Sequence, residues 1–305
     1  PQPLPIQGGE FKATAAGADS KTALQLQPQL RHPRTLFSTP LPVRSIVLDV
    51  GNTTVKAGFF DEAGQLTAVR RAPDAADLRA EIASFDPARA LVASVDAPAA
   101  AVAEAAGLSP DTTVLYSPDT PLPIRLAYAT PRTLGADRVA AAVGAAHRWP
   151  GHAVLMLDAG TCLKCDWLTP DGTFAGGSIS PGLRMRYRAL YEQTGRLPLV
   201  EPGAPDQMPE WPGESTAACI CAGVEIGLMS EALAFVEWGE ARWPGARVVL
   251  SGGDAPWLAT RLGAAERRNF AVEPLLVLHG LYRILLFSAD SAPVAGGSAA
   301  VPSPA

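Results

Sequence analysis

Two short runs of the sequence set an acid, a glycine and a hydrogen-bonding side chain at the end of an apolar stretch. One is Ile46-Val47-Leu48-Asp49-Val50-Gly51-Asn52-Thr53, and the other is Val154-Leu155-Met156-Leu157-Asp158-Ala159-Gly160-Thr161. In each, the glycine permits dihedrals that other residues avoid, and a tight turn there leaves backbone N–H groups free. Small residues let a phosphate approach such a turn closely. Asn52, Thr53 and Thr161 can donate hydrogen bonds to it, and an acidic partner can hold a hydrated Mg²⁺. Asp and Gly are ordinary turn formers taken one copy at a time. Two matching copies point instead to a nucleoside triphosphate gripped from opposite sides. Lys56 follows the first turn, where it either offsets phosphate charge or is a solvated strand residue. Lys164 occupies a similar offset in the second copy.

A third segment, Tyr128-Ala129-Thr130-Pro131-Arg132-Thr133-Leu134-Gly135-Ala136-Asp137-Arg138, leads into a small-residue amphipathic helix carrying Val139, Val143 and Ala146. At that helix start Asp137 can be an N-cap. It can equally be a base, because a helix N-terminus favours an ionised carboxylate able to accept the proton of an alcohol attacking a phosphoryl group. Arg138 beside it can clamp a carboxylate in bidentate fashion or be a surface charge. Gly176-Gly177-Ser178-Ile179-Ser180-Pro181-Gly182 and Leu250-Ser251-Gly252-Gly253-Asp254-Ala255 read as candidate ligand loops, the Gly252-Gly253 pair allowing a flat adenine or ribose against backbone. Arg184, Arg186 and Arg188 alternate rather than recur at helical spacing, so a solvated surface without catalytic role is expected of them.

The elements that must position these residues follow one grammar twice. Each copy is a strand, the turn, a second strand, a hairpin (Asp61-Glu62-Ala63-Gly64; Pro170-Asp171-Gly172) and a third strand. Helices are expected over 77–85 and 98–106 after the first copy, and over 183–193 and 216–238 after the second. Leu91-Val92-Ala93-Ser94-Val95 and Arg247-Val248-Val249-Leu250-Ser251 read as buried strands. Strands interleaved with helices, duplicated, imply two similar α/β domains, 43–151 and 152–288. The flanks 1–42 and 289–305, rich in Pro, Ala, Gly and Ser or Gln, are expected to be disordered. The first of them lacks the apolar core of a secretory signal.

Composition excludes several function classes. With 305 residues, 48% of them hydrophobic, the chain can bury a sizeable core. A net charge of -5 offers no basic face for a nucleic-acid backbone, so no nucleic-acid partner is expected. No apolar run reads as approaching the ~20 residues needed to span a bilayer, so no membrane partner is expected either. Cys162 and Cys165 fall on opposite faces of a strand, and Cys219 and Cys221 point far apart on a helix, so neither pair chelates well. They read as buried small residues in a reducing, cytoplasmic setting.

Together these features resemble type III pantothenate kinases, members of the acetate and sugar kinase, heat-shock protein 70 and actin superfamily, over roughly residues 44–287. The carriers are Asp49-Val-Gly-Asn-Thr-Thr-Val-Lys56, Gly135-Ala-Asp-Arg138, Asp158-Ala-Gly-Thr161, Gly176-Gly-Ser-Ile-Ser-Pro-Gly182 and Pro274-Leu-Leu-Val-Leu-His-Gly280. The resemblance implies two ribonuclease H-like, actin-like ATPase domains, each a mixed β-sheet with flanking helices, and an ATP cleft between them. It implies ATP-dependent phosphorylation of pantothenate at its primary hydroxyl to 4'-phosphopantothenate, the first step toward coenzyme A, with Asp137 as proton acceptor. Asp49, Val50, Gly51, Asn52, Thr53, Thr54, Val55 and Lys56 would form the phosphate loop, with Thr161 a further ATP contact. Tyr128, Gly135, Ala136, Asp137, Arg138 and Thr216 would bind pantothenate. Asp158 would bind a monovalent cation, K⁺ or NH₄⁺, and Asp49 would hold Mg²⁺ through water. Family members are typically homodimers that close their domains on the nucleotide, and closure excludes water and aligns the reactants.

The chain departs from the family at Cys162 and Lys164, where many relatives have Ala and Thr, and at Gly195, where Ala is usual. Lys164 adds a cation beside the second turn and so bears on whether Asp158 takes a separate ion. Two other readings compete: a sugar or carboxylate kinase of the same superfamily, and a nucleotide-binding regulator that has lost turnover.

Overall fold

The computed structural model describes residues 43–51, 54–95, 97–266 and 270–291. Asn52 and Thr53, assigned to the phosphate loop, lie outside the described residues, as does most of both flanks.

The first repeat consists of β1 (Ser45–Val50), β2 (Val55–Phe60) and β3 (Leu66–Ala72), followed by a 3₁₀ turn at Ala75–Leu78, α1 (Arg79–Phe85), β4 (Arg89–Ser94), α2 (Ala99–Ala105) and β5 (Thr113–Leu115). After β6 (Arg125–Leu126) comes α3 (Ala136–Arg148). The second repeat consists of β7 (Val154–Ala159), β8 (Cys162–Leu168), β9 (Thr173–Pro181), α4 (Leu183–Glu192), α5 (Thr216–Arg242), β10 (Arg247–Ser251), α6 (Ala255–Glu266) and β11 (Ala271–Val272). The last helix is α7 (Leu276–Ser291), so the first residues of the expected C-terminal tail are helical.

Local chemistry accounts for several boundaries. Asp74 accepts from the Ala76 N–H at 2.8 Å while the Asp77 carboxylate accepts from the Asp74 N–H, a capping box that starts the turn into α1. Ser215 caps α5 by accepting from the Ala218 N–H at 3.1 Å. The central strands β1 and β7 are almost wholly apolar because helices cover both of their faces.

The two sheets are wired alike. The first has the order β3-β2-β1-β4-β5, and the second β11-β10-β7-β8-β9-β6. In both, the first three strands form an antiparallel meander, and a later strand, β4 or β10, adds parallel to the first. This is the duplicated, mixed-sheet, actin-like α/β architecture.

Three cores tie the layers together. Val47, Phe60 and Leu91 of the first sheet and Met156, Phe174 and Val249 of the second share one core with α3 and α7. Helices α1 and α2 cover the outer face of the first sheet, and α4, α5 and α6 that of the second. The pair α3 and α7 is thus the shared inner layer, and it packs closely through glycine. A Cβ at Gly144 would come within 2.5 Å of the Leu276 carbonyl oxygen, and one at Gly280 would strike the Ala140 backbone. That approach is the structural reason for the Gly at the end of the Pro274–Gly280 run.

By length and composition α5, at 27 residues, is apolar enough to cross a bilayer, contrary to the expectation drawn from the sequence. Its apolar residues Ile220, Val224, Leu228, Ala232 and Val236 pack into the second core. Glu225, midway along it, pairs with Arg261 at 2.9 Å, and both are 1% exposed. Glu225 also accepts from the Tyr187 hydroxyl at 2.8 Å and from the Gly203 N–H at 2.7 Å, so the buried charge is fully engaged.

Candidate active site

Strand register sets an acid opposite a lysine in each repeat. Asp49 on β1 lies directly across from Lys56 on β2, and Asp158 on β7 directly across from Lys164 on β8. Cross-strand partners of this kind are near enough to form ion pairs. In the first hairpin the Gly51 N–H donates to the Thr54 carbonyl at 3.1 Å, and the Lys56 Nζ is 3.9 Å from Asp49 Oδ2. In the second the Gly160 N–H donates to the Cys162 carbonyl at 3.0 Å, and the Lys164 Nζ is 2.7 Å from Asp158 Oδ2.

Helix α3 brings the third acid to the second hairpin. Gly135 is its N-cap residue, and Asp137 is the second residue of the helix, so Asp137 is not the cap considered from the sequence. Its Oδ1 accepts from the Arg138 N–H at 2.8 Å, and its Oδ2 accepts from the Lys164 Nζ at 2.5 Å. One ammonium therefore bridges Asp137 and Asp158.

Arg138 is 6% exposed, which removes the surface-charge reading. Its Nε donates to both oxygens of Asp166 at 3.1 Å, one terminal nitrogen donates to Asp166 Oδ1 at 2.5 Å, and the other reaches the Tyr128 hydroxyl at 3.4 Å. The guanidinium also lies over the Tyr128 and Phe174 rings, at 5.7 and 5.6 Å. The bidentate carboxylate sought in a substrate is thus supplied by the protein, and Arg138 holds Tyr128 and the start of α3 against β8.

Burial shapes the charges. It pushes the Asp49 carboxyl up to about 6; Lys56 opposes that shift, and the charges of Asp137 and Asp158 add to it. For Lys164 burial works against the ammonium, yet Asp158 and Asp137 outweigh it and hold the side chain above the usual lysine range. The half-buried Tyr116 hydroxyl is pushed up to about 12 by burial first and by the charge of Asp137 second.

The remaining candidates are distributed around this group. Ser251 at the end of β10 donates to Asp158 Oδ1 at 3.4 Å. Gly252 follows with φ +91°, and a Cβ there would lie 2.5 Å from the same Asp158 oxygen, so only glycine suits the position. The Asp254 N–H donates to the Ala159 carbonyl at 2.9 Å, which ties this loop to the second turn. The Gly176–Gly182 run, expected as a loop, is mostly strand: β9 extends through Pro181, and only Gly182 lies beyond it, at the N-cap of α4. Thr54 and Thr161 are exposed, and Val50 and Val55 are buried. Thr216 sits on the exposed first turn of α5, and no hydrogen bond ties it to the Asp137 group. Arg186 is not a freely solvated arginine: it donates to the Pro181 carbonyl at 2.8 Å and pairs with Glu231. An apolar recess lined by Ala159, Gly160, Gly182, Leu183, Asp254 and Trp257 lies beside the second turn, and Asp49, Asp137, Asp158 and Lys164 are not in its lining.

Asp166 and Tyr116 were not singled out from the sequence, whereas Ser251 belongs to the run read as a candidate ligand loop. Lys164 and Asp166 are two apart on one strand and share a face, a signal that could have linked Asp166 to the site. Tyr116 carried no such signal.

Comparison with known proteins bears on this geometry. A family model for type III pantothenate kinase matches residues 45–237. The chain is 36% identical over 245 residues to the type III pantothenate kinase of Bacteroides fragilis, a match covering 80% of this chain and 98% of the relative. It is also 36% identical over 245 residues to that of Cytophaga hutchinsonii, covering 80% and 99%. Among solved structures, a protein from Campylobacter jejuni described as a Baf family transcriptional activator superposes with a TM-score of 0.50 at 16% identity, covering 80% of this chain and 99% of that one, a likeness of fold.

Proposed function

The chain belongs to the type III pantothenate kinase family, and on that premise we propose that Asp137 accepts the proton of the substrate hydroxyl during phosphoryl transfer. The reaction is the ATP-dependent phosphorylation of pantothenate to 4'-phosphopantothenate, the first step of coenzyme A biosynthesis. The observation that carries the assignment is the convergence of Asp137, from the start of α3, with Asp158 on the Lys164 ammonium, next to the second turn. A carboxylate fixed by Lys164 on one oxygen and by a backbone N–H on the other keeps outward lone pairs for an incoming hydroxyl.

The other assignments rest on the match to the family. Asp49, Val50, Gly51, Asn52, Thr53, Thr54, Val55 and Lys56 form the phosphate loop, with Thr161 contributing from the second turn. Tyr128, Gly135, Ala136, Asp137 and Arg138 shape the pantothenate site, with Arg138 acting by orienting Tyr128. Thr216, on the exposed first turn of α5, would join that site, and the chain would act as a homodimer. The four unpaired thiols accord with a cytoplasmic setting.

The half-buried Asp49 carboxylate, with Lys56 no nearer than 3.9 Å, suits a divalent cation held through water. Asp49 would hold such an ion, and Mg²⁺ there would supply charge neutralisation to the phosphate groups. The monovalent ion expected at Asp158 does not fit the residues present, because the Lys164 ammonium already lies 2.7 Å from that carboxylate.

The test is phosphopantothenate formation from ATP, Mg²⁺ and pantothenate by the purified chain and by Asp137→Asn. The variant should lose about 10²- to 10⁴-fold in kcat with ATP binding retained. Full activity in the variant would remove Asp137 as the base. A wild-type chain that binds ATP but forms no product would favour another acceptor or a regulator without turnover.

A further inference from the structure

Lys164 sits where a free monovalent cation would otherwise be required. Its Nζ is 2.7 Å from Asp158 Oδ2 and 2.5 Å from Asp137 Oδ2. The other oxygen of each carboxylate is engaged elsewhere: Asp158 Oδ1 accepts from Ser251 and Asp137 Oδ1 from the Arg138 N–H. Each acid thus turns one oxygen to the ammonium, which has three donors and no acceptor and carries the same unit charge as K⁺ or NH₄⁺. The side chains of Lys164, Asp158 and Asp137 are only 17%, 19% and 25% exposed, so this charge is screened less than a surface one. A second cation on Asp158 would meet Lys164 as a like charge in the same small space.

We infer that Lys164 is the resident monovalent cation of this enzyme, a tethered ammonium that neutralises Asp158 and fixes Asp137, so that the chain works without K⁺ or NH₄⁺. The inference rests on the reading of Asp137 as the base. Lys164 contacts that base and not the reacting atoms, so it is a positioning residue. Strand β8 delivers the charge before any nucleotide binds, and cross-strand register with Asp158 sets its place. The equivalent Lys56 in the first hairpin has only the more distant Asp49 as an ion-pair partner among the described residues.

Full-length protein exchanged into tetramethylammonium chloride and compared with KCl at equal ionic strength gives two readouts. One is the melting temperature without nucleotide, and the other is the rate of pantothenate phosphorylation. Wild type should show no K⁺-specific shift in Tm and rates equal within about twofold, since no ion is bound to stabilise the native state. Lys164→Thr should lose about 10²-fold or more in tetramethylammonium, regain about tenfold or more in KCl or NH₄Cl, and gain in Tm only with those ions.

A wild-type rate that rises about tenfold with K⁺, or a K⁺-specific rise in wild-type Tm, would overturn the inference. So would a folded Lys164→Thr that is fully active without K⁺ or that K⁺ does not rescue. Should that variant fail to fold, the wild-type salt comparison decides alone. A wild type that makes no phosphopantothenate in either salt would defeat the functional reading, and Tm would still report on the cation.

Discussion

The hairpin at Asp49 and the hairpin at Asp158 share a plan and differ in what docks on them. Across the first, Val50 pairs with Val55, and across the second Ala159 pairs with Leu163, a turn tighter by one residue. Opposite Val47 the first hairpin has Gly58, whereas opposite Met156 the second has Asp166. Lys164 and Asp166 therefore stand side by side on one face of β8 and receive Asp137 and Arg138 from α3. On strand β2 the equivalent Lys56 is a third exposed, and among the described residues its ion-pair partner is Asp49. Duplication supplied two equivalent scaffolds. One of them is committed to holding a carboxylate in place, and in the other Lys56 stands 3.9 Å from Asp49.

The sharpest way to break this comparison is to remove Asp166. Asp166→Ala leaves the Arg138 guanidinium buried without its carboxylate and should cost about 3–5 kcal/mol in urea unfolding. A loss below about 1 kcal/mol, the range of exposed pairs, would mean that α3 does not depend on β8 for its place. The paired lysines come next. Lys164→Met leaves two partly buried carboxylates facing each other and should cost about 1–3 kcal/mol. Lys56→Met, at a 3.9 Å contact that is partly solvated, should cost about 0–1 kcal/mol. Equal losses would erase the distinction between the hairpins.

The smallest effect concerns what the two repeats share. His147 on α3 is held down to about 4, by burial first and then by Arg283 and His279 of α7. A histidine with a lowered pKa is neutral in the native state and takes up its proton on unfolding. Its contribution is therefore complete above the unfolded value of 6.5 and is lost as pH falls from there toward 4. Melting temperature followed from pH 8 to pH 4.5 should decline over that window, and His147→Gln should flatten the slope. Because α3 and α7 contact both sheets, hydrogen exchange should show the two repeats loosening together. Loosening confined to one repeat would show that the inner layer does not couple them.

Features written in contiguous residues were legible without coordinates. Each apolar strand, glycine turn and family motif is written in a few adjacent residues, the repeat is one such short pattern met twice, and β10 falls on the stretch read as a strand, Arg247–Ser251. The placement of Asp137 at the start of a helix was equally local. The cap at Gly135 in place of Asp137, and β9 running through the Gly176–Pro181 segment, were not, because several local conformations suited those residues until hydrogen bonding chose one.

The fate of the charged residues was decided by tertiary structure alone. Arg138 could serve a ligand or a surface until the docking of α3 against β8 buried it on Asp166, 28 residues away in the chain. Lys164 looked like a departure from a family pattern until strand register set it opposite Asp158 and the same docking set Asp137 against it. Such pairings depend on which elements meet across a shared core. Because no periodicity within one segment encodes them, a sequence can name the acids and bases of this site without telling which of them hold one another.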